Sequence, residues 1–189
     1  MGGEKRPKSL TETGLGSTSR GVAVEGGMNP PPPRVRLAHL AREAARTCTE
    51  RPCTQEFQLV EDGPFPSVEI LALLTFSYGT GVFPVDRISH LARTDVLYLS
   101  LIGTTPPAPD TLRAFRRLER IAVASALGRF FALIASTCEE ESQPAPALEE
   151  WRTVLKLAHP LPRCEATLGR LVRERVNQAT WIDRMLLDY

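Results

Sequence analysis

The chain has 189 residues, 42% hydrophobic and 24% charged, with 23 Lys and Arg against 22 Asp and Glu. That length accommodates one domain of ordinary size with an appendage, and excludes a recognition domain joined to a full nuclease domain. A net charge of +1 excludes a global basic field, so any contact with nucleic acid must come from local clustering.

Residues 1–33 are rich in Gly, Ser, Thr and Pro and end in four consecutive prolines. They carry little apolar surface to offset ordering entropy, which predicts a disordered arm stiffening toward polyproline II. Lys5, Arg6 and Lys8 leave open a basic arm that tracks DNA, and Met28 a later start codon. The first 30 residues lack the apolar segment of a secretory signal. The apolar stretch 68–76 is interrupted by Glu69 and is too short to span a bilayer. A cytoplasmic protein without membrane contact is expected.

From residue 34 to about 47, Val35, Leu37, Ala38, Leu40, Ala41, Ala44 and Ala45 fall on one helical stripe. Pro52 ends any extension. Residues 55–61 read as a linker with Phe57 and Leu59 as core anchors and room for one strand-like turn, and Asp62-Gly63-Pro64 as a turn. Ser67 is placed to cap a helix whose dense apolar run, Ile70 to Phe76, predicts that it is largely buried. Gly79 and Gly81 stop it. A helix over 85–93 turns Ile88 and Leu91 inward and Arg87, His90 and Arg93 outward, and Asp95 caps a short turn over 96–102.

After the Pro-rich linker 105–109, Asp110 or Thr111 is expected to cap one long helix from 112 to about 136. On it Arg113, Arg116, Arg117 and Arg120 form an i, i+3, i+4, i+7 stripe. Residues 138–146 read as an acidic loop and 147–157 as a short helix around Trp151. The last helix, 163–187, aligns Leu168, Leu171, Val172, Val176, Ala179, Ile182 and Leu186 as a packing seam or short coiled coil. The predicted fold class is all-α: a multi-helix domain with a helix-turn-helix-like unit over 34–137, then a C-terminal helical extension over 147–189.

Cys48, Cys53, Cys138 and Cys164 form no CxxC pair. A zinc site would need Cys48, Cys53, His159 and Cys164 drawn loosely from distant segments, so mostly buried free thiols in a reducing compartment are the expectation. The positive charge is nearly all arginine, which suits phosphate forks and guanine edges but is first of all a mark of GC-rich coding DNA. His39 and His159 lack polar company of a catalytic kind. Gly79-Thr80-Gly81 is too short for a phosphate loop and lacks the Gly-Lys-Ser/Thr ending, and no Gly-x-Ser-x-Gly elbow occurs.

Residues 65–117 carry the most informative order of features. Pro66, Leu71, Leu73 and Leu74 lead into the turn Tyr78, Gly81, Val82; then come Arg87, Ile88, His90, Arg93, Asp95 and Val96, and finally Thr111, Leu112, Phe115, Arg116 and Arg117. This order resembles the InsH-type N-terminal domain of bacterial DDE insertion-sequence transposases, over a little over a quarter of the chain. The family usually shows Asp-His where this chain has Ala108-Pro109, which puts polar contacts through that linker in question.

The resemblance implies a helical domain that binds double-stranded DNA, such as insertion-sequence ends. Its second helix would lie in the major groove and the arginine stripe along phosphates. The candidate contacts are Arg87, His90, Arg93, Arg113, Arg116, Arg117 and Arg120. A solvated helix face is the alternative, since Asp86, Asp95, Asp110 and Glu119 lie close by.

In that family, three carboxylates holding two metals sit on a downstream α/β nuclease fold. Here the clusters 139–141 and 149–150 are consecutive acids that cannot all face one metal pair. The expectation is a truncated or standalone binding domain with no catalysis, cofactor or metal. The competing reading is a transposase-derived interaction module that dimerises through residues 163–189. A small enzyme has no support in the sequence.

Overall fold

The computed structural model describes residues 32–49, 57–59, 63–65, 67–103, 105–140, 145–159, 161 and 164–187. All of them belong to one compact unit, residues 31–189; the arm expected over 1–33 lies outside them except for Pro32 and Pro33, and Cys53 lies outside as well. In chain order the elements are α1 (Pro33–Thr49), β1 (Phe57–Leu59), β2 (Gly63–Phe65), α2 (Ser67–Gly79), α3 (Val85–Thr94), α4 (Val96–Ile102), α5 (Pro109–Leu118), α6 (Arg120–Glu140), α7 (Ala145–Val154) and α8 (Glu165–Leu187). The fold is all-α, decorated by one short hairpin.

That hairpin is antiparallel, with Phe57 opposite Phe65, Gln58 opposite Pro64 and Leu59 opposite Gly63. Gly63 and Pro64 therefore stand in a strand and not in the turn that Asp-Gly-Pro suggested. The side chains of Phe57 and Leu59, expected as core anchors, lie outside the described residues.

The centre of the bundle is α2. Every residue from Ile70 to Thr80 is buried, because α1 and α6 flank it and α4 and α8 also touch it. Its helix stop has the Schellman pattern: Val82 N donates to Ser77 O at 2.8 Å and Gly81 N to Tyr78 O at 3.2 Å. Gly81 takes φ +72°, where a Cβ is costly. α4 opens as expected, with Leu97 N donating to Asp95 Oδ1 at 2.9 Å.

Three expectations fail at the next elements. The long helix over 112–136 is two helices broken at Glu119, which caps α5 through its N–H to Phe115 O. No side chain caps the start of α5: Pro109 supplies the first turn with its fixed φ, and Ala108 holds the cap position. The acidic loop is also shorter than expected, since α6 runs to Glu140 and α7 begins at Ala145.

Among the described residues, α6 is the one helix long and apolar enough to cross a membrane, a property that the periodicity of the sequence assigned to no segment. Here Val123, Ala126, Leu127, Phe130, Phe131 and Ile134 are buried in the bundle, against α1, α2 and α8.

Candidate nucleic-acid interface

α3 is plainly two-sided. Val85, Ile88, Ser89 and Ala92 face the core, which rotates Arg87, His90 and Arg93 into solvent. The side chains of these three make no hydrogen bond or ion pair with the described residues.

The acids that flank this row are occupied. Asp86 Oδ2 sits 2.8 Å from Arg113 Nη2. Asp95 is 3.2 Å from Arg34 Nη2, tying α1 to α4, while its other oxygen caps α4.

Arg113 also reaches Asp110 at 2.7 Å. Burial works against its charge, but Asp110 and Asp86 outweigh that cost and hold its pKa above the ordinary value. Arg116, the next arginine of the stripe, is inside the protein. Its side chain is 7% exposed and its Nη2 lies 2.5 Å from Oδ2 of Asp183, itself 3% exposed. Its Nη1 donates to Ala179 O at 3.0 Å and to the Tyr78 hydroxyl at 3.5 Å. Burial pushes the Tyr78 pKa up to about 12, with Arg116 working in the opposite direction.

The polar knot thus joins α2, α5 and α8, and Asp183 Oδ1 also receives Val85 N at 3.5 Å, at the start of α3. Arg117 is exposed. Arg120 begins a different helix and donates to Asn177 Oδ1 at 3.2 Å. The stripe expected along one helix is accordingly divided: one arginine buried, two engaged by side chains of the same protein, and Arg117 turned outward.

α8 supplies what periodicity and motifs missed. Arg175, 7% exposed, donates to Tyr78 O at 3.3 Å, Leu155 O at 2.7 Å and Lys156 O at 3.2 Å. It thereby satisfies carbonyls at the ends of α2 and α7, where the helix dipoles are negative. Burial lowers its pKa, Glu174 opposing. Its guanidinium also lies over the Phe83 ring, 5.6 Å from the centroid. The signal was available: Arg175 and Asp183 fall on the same helical stripe as Val172, Val176 and Ala179, and charges on an apolar stripe call for buried partners.

The seam residues Val172, Val176 and Ala179 are buried in the chain's own core, and Ile182 is half-buried; the side chain of Leu186 lies outside the described residues. His39 and His159 are exposed.

None of the described cysteines is in a disulfide. Cys48 and Cys138 are half-buried, and Cys164 is exposed, contrary to the expectation of mostly buried thiols. At the start of α8, backbone N–H groups of Ala166 and Thr167 pull the Cys164 pKa down. Among the described residues no three His, Cys, Asp or Glu side chains gather so as to hold a metal ion. No protein-family model, curated protein or solved structure matches the chain.

Proposed function

We propose that this chain is a DNA-binding helical domain that contacts duplex DNA through the outward face of α3, with insertion-sequence ends as its target. The observation that carries the reading is the row Arg87, His90, Arg93: exposed, without partners among the described residues, and flanked by acids that are paired with Arg113 and Arg34. Basic side chains at this spacing on a helix backed by a packed core suit a groove or a line of phosphates. The resemblance of residues 65–117 to the transposase N-terminal domain supports the same reading. The proposal is for binding alone, without cleavage.

The test is duplex binding by fluorescence anisotropy across a salt series, comparing the native chain with Arg87→Ala/Arg93→Ala. Each arginine that neutralises a phosphate should add roughly 0.9 to the slope of log K against log salt. The double variant is expected to show a slope shallower by up to about twice that, with melting unchanged. A native chain whose binding is absent or indifferent to salt overturns the reading.

A protein-interaction module is the second reading, favoured by large apolar side chains left in solvent: Leu118 at 72%, Ile121 at 84% and Trp181 at 62% exposure. A second copy docking through α8 would have to use Trp181 and Met185, because Val176 and Ala179 are taken by the core. Sedimentation above the monomer mass, together with no duplex binding, supports this alternative.

A further inference from the structure

We propose that the cleft between α5 and α8 is a phosphate-binding site in which Arg117 and Arg184 grip the anion. The cleft has a volume of about 530 Å³, and Arg113, Arg116, Arg117, Thr180, Asp183 and Arg184 contribute to its walls. Asp110 stands at the same cleft. Four guanidiniums meet two carboxylates here, and a third, Asp86, also holds Arg113 at 2.8 Å, which leaves an excess of one positive charge.

The distribution of partners decides which groups are free to bind. Arg113 bridges Asp110 at 2.7 Å and Asp86 at 2.8 Å, and Arg116 holds Asp183 at 2.5 Å, so neither of these two arginines is free. Arg117 and Arg184 are exposed and have no hydrogen bond or ion pair among the described residues. They stand on two different helices and line one cavity, where like charges repel unless an anion joins them.

A guanidinium presents paired N–H donors that match the oxygens of a phosphate, and two of them, one from each helix, can grip a diester monoanion or a monoester. The floor is fixed. The Arg116–Asp183 pair and the bond from Arg116 to Ala179 O hold α5 against α8, so little ordering remains to be done when the anion enters. The cleft is roomy enough for a phosphate ester with part of its organic group.

The phosphate group itself is the shared chemistry, and it has two sources: the backbone of DNA or a free phosphorylated small molecule. The site stands on the cleft geometry and not on the α3 reading, and the two fail separately.

The test titrates the full chain with inorganic phosphate at constant ionic strength, balanced with chloride, and follows the amide resonances of residues 110–117 and 180–184. Saturable shifts are expected there, at least tenfold weaker in Arg117→Ala/Arg184→Ala and unchanged in Arg87→Ala/Arg93→Ala. Both pairs are exposed, so thermal melts should overlay that of the native chain. Absence of saturable shifts overturns the site, as does undiminished affinity in a folded Arg117→Ala/Arg184→Ala variant. Duplex DNA is then added to the phosphate-bound protein: displacement identifies backbone phosphate as the source, and retention identifies a free phosphorylated ligand. If duplex fails to bind while phosphate does, the α3 reading falls and the cleft stands.

Discussion

Two arginines adjacent in sequence, Arg116 and Arg117, end up in opposite environments. The helix rotates about 100° between neighbours, and that is enough to send one guanidinium into the knot with Asp183 and Tyr78 and the other into solvent. The chemistry of the two side chains is the same; their energetics are not. Arg116→Ala leaves the Asp183 carboxylate buried without its cation, and an expected loss of about 3–5 kcal/mol follows. Replacing both partners, as Arg116→Met/Asp183→Leu, should restore most of it, since a buried pair often adds little over apolar side chains of similar size. Arg117→Ala should stay within about 0.5 kcal/mol of the native chain. Urea unfolding of the four proteins checks all three expectations, and a cost below about 1 kcal/mol for Arg116→Ala would mean that the pair is not buried in solution. At this scale the sequence showed that arginines were grouped. Which one was surface depended on how α5 is seated against α8, a contact between residues 63 apart in sequence.

At the scale of elements, the helices were readable because their signals are local. Pro33 and Pro109 open helices, Gly81 and Gly103 close them with positive φ, and apolar residues recur at helical spacing between. The break between α5 and α6 had no such signal. Residues 112–127 contain neither Pro nor Gly, and the apolar period runs through Glu119 without interruption. Packing makes the break: α5 must reach α3, while α6 must lie along α1 and α2, and one straight helix cannot do both. The crossing of α2 and α6 gives a sharper test. A Cβ on Gly79 would meet Phe130 Cε1 at 2.4 Å. Elsewhere in a helix Gly→Ala gains roughly 0.5–1 kcal/mol; here overpacking should reverse the sign, with a net cost of about 1–3 kcal/mol. Thermal unfolding of Gly79→Ala is expected to show it, and Gly79→Ala/Phe130→Leu to recover part of it. A stabilised Gly79→Ala would mean that the ring does not abut the helix end.

For the molecule as a whole, α8 decides what can be removed. A C-terminal helical extension was expected, with a seam available to a second copy. Instead the helix buries Val172, Val176 and Ala179, caps α2 and α7 through Arg175, and completes the ion pair of Arg116. Deleting residues 163–189 should therefore abolish cooperative thermal unfolding, since it strands Arg116 and uncovers α6. A truncated chain that still melts sharply would show instead that α8 is dispensable to the core.

The sequence by itself determined where most of the helices lie, though not the break between α5 and α6, that they are amphipathic or buried, and that basic residues gather in 87–120, because helix formation and periodicity are written within a few turns of chain. Only the tertiary structure decided which of those charges survive as a field. Arg113 meets Asp86 across 27 positions and Arg34 meets Asp95 across 61, distances over which no local pattern carries information. Cancellation of charge is a property of contacts, and contacts are made by the fold.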